Sequence, residues 1–476
     1  MTRCFGREAS AGRNLVVDVL RLLLSLTLLM TLSGCVFDNA GSARSEDSAF
    51  GRRCGGIASP PPSGQLPEGQ RLAWPIGSQV WALVPPCETP YLVWEGSGAP
   101  FDIEWSRAGD RLAFRVEDNV LVRSIGDADP PVSFTSDAGY DWMPDGRLML
   151  YNGTGTDARV ASVARVATGE TEQVAESYGL FALSPDGTAL AYASYEDCPP
   201  GSIPASAPVD FHCSSVSIAD VDDQSERRVA SVEDMLAALP ASVNTSLGLL
   251  GPVDLHWSTT GEYLTFSACG IAASGCVDSR YVFETRPDGR DLRYIGDFAW
   301  PVAWAPGDSR YVYVQQGGRP YDAYPRPIML SAAGLASSRS LSPDGVEDTE
   351  PVWSPSGNAI AFTSAPSVRT PPCMACPPEA PEQGIWRSDL GTPARRTQLT
   401  SSPEWVDSSP QWSRDGAWIA FVRNGTAYVE NDGYPKTELW LMREDGSDQH
   451  MVADLTETTP NPVPLEQWFG WWTPPG

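Results

Sequence analysis

The chain has 476 residues, 42% of them hydrophobic and 20% charged, a balance that excludes an intrinsically disordered polypeptide and suits one or more folded bodies. Its 43 glycines, 43 prolines and 17 tryptophans argue against a helical protein and for many short strands joined by tight turns. A formal charge of −27, with Lys436 as the sole lysine, repels phosphate backbones, so nucleic acid is not an expected partner.

The first 34 residues read as an export signal. Arg3, Arg7 and Arg13 form a basic leader, and an almost purely apolar run from Leu22 to Leu32 follows, too short for a comfortable membrane span. Leu32-Ser33-Gly34-Cys35 resembles a bacterial lipobox. That resemblance implies cleavage before Cys35, lipidation of its thiol and a membrane anchor in the cell envelope, on the periplasmic face of the outer membrane or at the cell surface. The alternative is an uncleaved helix with Cys35 as an ordinary thiol. Residues 35–70, rich in Gly, Ser, Pro and Arg without apolar periodicity, read as a flexible tether. With Cys4 in the leader and Cys35 lipidated, eight of the 10 cysteines remain. They are disulfide candidates in an exported chain: the local pairs Cys198 and Cys213, Cys269 and Cys276, Cys373 and Cys376, leaving Cys54 with Cys87.

From residue 71 onward one pattern recurs. An anchor residue is followed by a turn rich in Pro, Asp and Gly and then by a strand of alternating large and small residues. Trp105, Trp142, Leu183, Trp257, Trp304, Trp353 and Trp412 are the seven internal anchors. Leu112-Ala113-Phe114, Leu190-Ala191-Tyr192 and Ile360-Ala361-Phe362 show the alternation, which puts large residues on one sheet face and small ones on the other. Both faces are mostly apolar, so each sheet is expected to be covered on both sides. A third strand follows each hairpin, as at Val120 to Ser124 and Leu439 to Met442, and a more polar fourth is expected outside it, as around Gln398-Leu399-Thr400. Four strands per unit at this spacing predict an all-β fold, a β-propeller of antiparallel blades. Trp353-Ser-Pro-Ser-Gly-Asn-Ala-Ile-Ala-Phe362 and Trp412-Ser-Arg-Asp-Gly-Ala-Trp-Ile-Ala-Phe421 resemble the TolB-type propeller repeat, and the resemblance covers residues 71–476. It implies a fold rather than an activity. At the ends, Phe469 to Pro474 resembles an isolated first strand, with Trp472-Thr473-Pro474 matching the Trp-Ser-Pro start and Trp472 as its anchor. Arg71 to Trp74, Val80 to Leu83 and Tyr91 to Trp94 read as second, third and fourth strands without a first. Pairing the termini gives eight blades; seven is the alternative if the N-terminal strands pack outside the ring.

Two units are enlarged. Between Leu183 and Trp257 lie the Cys198 to Cys213 segment and Ser231 to Leu239, a capped helix stopped by Pro240. Pro366 to Gln383 is proline-rich and contains Cys373-x-x-Cys376, open to three readings: disulfide, redox pair or half a zinc site. The three histidines, His212, His256 and His450, fall in different units, and neither a metal nor a cofactor is expected. Asp145, Asp186, Asp308 and Asp415 sit in the hairpin turns, where turn chemistry accounts for them without calcium. Three functions compete: a non-enzymatic, lipid-anchored scaffold for an envelope protein partner, a glycan binder, and a lyase or hydrolase in the channel using carboxylates and His256. The lipobox reading makes a direct prediction. In the native host the intact-protein mass should show an acylated N-terminal cysteine, and Cys35→Ala should shift the protein from the detergent to the aqueous phase on phase separation. An unmodified Cys35 removes the anchor.

Overall fold

The hairpin at Ser184 shows how the repeat is built. Gly187 N–H closes the turn on Ser184 O at 2.8 Å, and Ser184 N–H donates to Ala189 O at 2.8 Å. The Asp186 carboxylate accepts the Ser184 hydroxyl at 2.6 Å and the Thr188 N–H at 3.1 Å, which holds its pKa below the usual carboxylate range. Gly187 has φ +74°, and a Cβ there would lie 2.6 Å from Pro144 in the preceding turn, so glycine is required twice over.

The computed structural model describes residues 66–472 except 68, 86, 88, 128, 336, 154–157, 178–180, 199–212, 242–250, 270–279, 298–301, 316–326, 367–382, 392–394, 429–434 and 457–468. It forms eight four-stranded antiparallel sheets, seven of them ordered consecutively and the eighth joining the last described strand to the first. Blade one comprises Pro100–Trp105, Arg111–Val116, Asn119–Ser124 and Val132–Thr135; blade two Gly139–Trp142, Leu148–Gly153, Arg159–Arg165 and Glu170–Ser177. Blade three comprises Phe181–Leu183, Ala189–Glu196, Cys213–Asp220 and Glu226–Ala230; blade four Gly251–Trp257, Leu264–Cys269, Arg280–Thr285 and Arg293–Asp297. Blade five is Ala303–Trp304, Arg310–Val314, Ile328–Ala332 and Arg339–Ser340, and blade six Val346–Trp353, Ala359–Pro366, Gly384–Asp389 and Arg395–Gln398. Blade seven is Trp405–Trp412, Trp418–Tyr428, Pro435–Arg443 and His450–Asp454.

The eighth blade joins the ends. Gly470–Trp472 pairs with Arg71–Ile76, followed by Gln79–Leu83 and Tyr91–Glu95. This selects eight blades over seven. One helix, α1 (Val232–Ala238), follows blade three under a capping box made by Ser231 and Asp234. The fourth strand of blade six ends at Gln398, because Leu399 and Thr400 turn inward: the Leu399 N–H donates to Ile385 O, and the Ile385 N–H donates to the Thr400 hydroxyl.

The core lies between blades. In five of the eight blades the centre of the second strand is an alanine that receives the large flanking residues of the next. Ala113 packs with Leu148 and Leu150, Ala191 with Leu264 and Phe266, and Ala361 with Ile419 and Phe421. The sequence continues through the closing blade, with Ala420 against Leu72 and Trp74, and Ala73 against Leu112 and Phe114. Phe114, Phe266, Phe362 and Phe421 are fully buried, each such side chain contributing about 1.5–3 kcal/mol.

A second device runs around the axis. The indole of each bonded anchor reaches back to the carbonyl just before the previous blade's anchor: Trp105 to Gly470 (3.0 Å), Trp142 to Glu104 (3.3 Å), Trp257 to Ala182 (2.9 Å) and Trp353 to Ala303 (2.8 Å). In the closing blade Leu72 faces Trp471, as Leu112 faces Trp105, so the position equivalent to an anchor is Trp471; Trp472 faces Arg71. The Trp471 indole donates to Gln70 Oε1 at 2.8 Å.

Trp105→Phe removes the bond that links the closing blade to blade one and should lower unfolding stability by about 1 kcal/mol. Trp74, fully buried, has an indole N–H without a partner among the described residues, so Trp74→Phe should cost less than Trp105→Phe although it removes the same atoms. Denaturant midpoints of both variants check this, and equal losses would reject the hydrogen bond as the cause.

Candidate functional site

Each first strand runs towards its hairpin turn, so first-to-second and third-to-fourth connections share one end of the propeller. Second-to-third and blade-to-blade connections share the other. The long connections, 197–212, 231–250, 270–279, 315–327, 367–383 and 455–469, all leave from this second, insertion end. The charges differ too. Described residues in the insertion-end connections include Glu117, Asp118, Asp137, Asp197, Glu233 and Asp344 but no arginine or lysine. The hairpin end instead carries mixed, paired charges, such as Arg147 with Asp145 and Asp222, and Arg387 with Asp389 and Glu444.

The first strands surround the axis and bring a second set of carboxylates there. Asp102 and Glu104 belong to blade one, Asp141 to blade two, Asp254 to blade four and Glu350 to blade six. Asp102, Glu350 and Ser409 each lie three residues before their anchor with φ between +53° and +56°, where the first strand bulges against the second. The Glu350 carboxylate accepts the Ser409 N–H of blade seven at 2.8 Å and the Thr363 hydroxyl at 2.7 Å.

Between blades one and two the carboxylates crowd. The Glu104 side chain is exposed, yet it stands on a first strand with Asp102 and Asp141 close by. Desolvation, then Asp102 and Asp141 as like charges, push its carboxyl up to about 8. Desolvation likewise raises Asp102 to about 6, against the pull of Arg115. Asp141 is raised by desolvation and partly held down by the Tyr151 hydroxyl, which donates to it. The junction is closed by the Tyr140 hydroxyl donating to Asp102 O at 2.6 Å.

Two further aspartates, Asp348 and Asp407, lie five residues before their anchors and are neutralised by arginines. Arg396 reaches Asp348 from the outermost strand of blade six, at 3.1 Å, lying over Phe362 and Trp386. Arg423 reaches Asp407 from the second strand of blade seven, at 2.7 and 2.9 Å, lying over Phe421 and Trp440. The same acid on the same kind of aromatic bed is thus served from two different strands.

The cysteine and histidine candidates are placed unevenly. Cys198 and Cys213 form a disulfide at the base of the 199–212 insertion. Cys87 is buried and disulfide-bonded. Cys35, Cys54, Cys276, Cys373, Cys376 and His212 lie outside the described residues, as do the side chains of Cys269 and Trp472. His256 Nε2 is 2.8 Å from Asp254 Oδ1 on blade four, whereas the crowded carboxylates are on blades one and two. His450 sits edge-on to Trp418 on the outer strand of blade seven. Among the described residues no group of three or more His, Cys, Asp or Glu is placed to hold a metal, and no helix is long and apolar enough to cross a membrane. The axial carboxylates were not among the sequence candidates. Counting back one residue from Trp105 and Trp142, and three from Trp105, finds Glu104, Asp141 and Asp102.

No protein-family model matches the chain, and no curated protein matches it. Many solved structures do. A eukaryotic initiation factor is 11% identical with a TM-score of 0.50, covering 86% of this chain and 100% of that one. The oligogalacturonate lyase of Vibrio parahaemolyticus is 13% identical, TM-score 0.44, covering 75% of this chain and 87% of the lyase. TolB from Acinetobacter baumannii is 14% identical, TM-score 0.33, covering 78% and 82%. The likeness is one of fold. Two peptidases among the matches are spanned over only 59% and 50% of their length.

The raised carboxyls set a pH dependence. Glu104 binds its proton more tightly folded than unfolded, since its ordinary value is 4.5. Its stabilising contribution is therefore complete below about pH 4.5 and is lost as the pH rises through 8. Glu104→Gln should raise the melting midpoint at pH 8 and flatten its dependence between pH 5 and 8, read by thermal unfolding of both proteins across that range. Parallel pH profiles would reject the assignment.

Proposed function

We propose that this chain is a lipid-anchored propeller of the bacterial cell envelope that acts as a non-enzymatic scaffold, holding a protein partner on its insertion end. The observation that carries this reading is topological: the long connections leave from one end of a rigid ring, while the other end has only short turns. Variable loops on a fixed frame are where binding surfaces are built. The single sign of charge in the described connections of that end suits a partner that presents a basic segment. Residues 1–35 supply the anchor in this reading, through their likeness to a lipoprotein signal.

The test is a pull-down from detergent-solubilised envelopes of the native host with the full-length protein as bait. It should enrich a partner whose capture falls at about 0.5 M salt and with the double reversal Asp118→Lys plus Asp344→Lys, both on exposed connections. Capture of nothing, or capture indifferent to salt and to the reversals, counts against the scaffold.

A further inference from the structure

The chain enters the ring at the hairpin end. Every second strand begins there, and Arg71 opens the second strand of the closing blade. The Arg71 guanidinium donates to Gly109 O in the hairpin turn of blade one. Five residues earlier, Leu66 packs into the cluster that holds Trp418 and Ala417, the latter in the hairpin turn of blade seven. Gln70 between them is buried, its Oε1 accepting the Trp471 indole at 2.8 Å and its N–H donating to Pro67 O at 3.2 Å. The entering segment is therefore held against the turns of both neighbouring blades. Cys87 stands at the same end, in the connection between the third and fourth strands of the closing blade, and is disulfide-bonded. Cys54, its expected partner, lies outside the described residues, between Cys35 and Leu66 in the sequence.

Only residues 36–65 separate the expected anchor from Leu66. A flexible chain of that length spans about 30 Å on average. The longest first strands, Val346–Trp353 and Trp405–Trp412, make the ring about 25 Å high. A tether leaving the hairpin end reaches a bilayer on that side directly. To bring the insertion end down instead, most of the span goes into climbing the outside of the ring. Charge acts in the same sense. The described connections of the insertion end carry acids without an arginine or lysine, whereas exposed Arg107, Arg290 and Arg414 stand in hairpin-end turns. An anionic leaflet repels the first surface more than the second.

We propose that the hairpin end is the surface that faces the bilayer, against an anionic phospholipid leaflet, and that the insertion end points away and takes its partner from the aqueous side. The inference rests on the lipid anchor at Cys35 and adds which end of the ring that anchor holds down.

The acylated full-length protein is reconstituted on phosphatidylethanolamine–phosphatidylglycerol vesicles that carry a rhodamine lipid. A fluorescent amino acid replaces one residue at a time, at exposed positions paired on two blades. Asp129 and Leu335 report on the hairpin end, Asp118 and Asp344 on the insertion end. With a ring about 25 Å high, energy transfer to the membrane should be about twofold stronger from Asp129 and Leu335 than from Asp118 and Asp344. Circular dichroism of each variant confirms the fold, and the second pair stands in if one variant fails it. Equal transfer from the two ends of a protein that floats with the vesicles, or stronger transfer from the insertion end, overturns the orientation and leaves the anchor intact. A protein that does not float with the vesicles, or whose Cys35 carries no acyl chain by mass, overturns the anchor and the orientation together.

Discussion

The interaction on which this ring depends is the indole N–H that crosses from one blade's anchor to the carbonyl preceding the anchor before it. Apolar packing between blades is non-directional and would accept a range of angles between neighbouring sheets. A hydrogen bond from a buried indole to a main-chain carbonyl does not. The bonds from Trp105, Trp142, Trp257 and Trp353 therefore set how far each first strand lies from the next, at the radius where the ring is narrowest. The bond is missing at four anchors, and at Trp412 the indole N–H is left without a partner among the described residues. Leu183 has no donor, Trp471 turns to Gln70, and the carbonyl available to Trp304 is taken by Thr265.

That geometry explains why acids gather at the axis without disrupting the fold. The residue before an anchor can offer its carbonyl to the next blade's indole, as Gly470, Glu104, Ala182 and Ala303 do, without committing its side chain to that bond, so Glu104, Asp141, His256 and Gly470 can all stand there. The cost of burying these acids is met as a raised carboxyl pKa at Glu104 and, less strongly, at Asp102, or as a guanidinium over aromatic rings at Asp348 and Asp407.

The sequence makes the blades plain because their determinants are local. An anchor, a Ser-Pro-Asp-Gly turn and a Leu-Ala-Phe strand lie within ten residues of each other, and each obeys short-range rules of turn chemistry and alternation. The closing blade is legible for the same reason, although the one-residue placement of its anchor depended on pairing between segments some 400 positions apart, Arg71 opposite Trp472. The axial site is less legible. Nothing near Asp348 or Asp407 in the chain says which arginine will reach it, and the two blades solve the matter from different strands. Glu104 and Asp141 are separated by a whole blade in sequence and become neighbours only when the ring is assembled.

The closing blade also gives the molecule an order of assembly. Among the described strands of the ring, Arg71–Ile76 is synthesised first and its partner Gly470–Trp472 last. Through the whole synthesis of the other seven blades the inner edge of Arg71–Ile76 has no strand to pair with, an open template for any extended segment nearby. Pro75, opposite Val80 in that strand, lacks an amide hydrogen and so shortens the template it presents. Closure waits for the Gly470–Trp472 strand, and a product truncated before it would retain seven complete sheets while leaving a sticky edge where the ring should close.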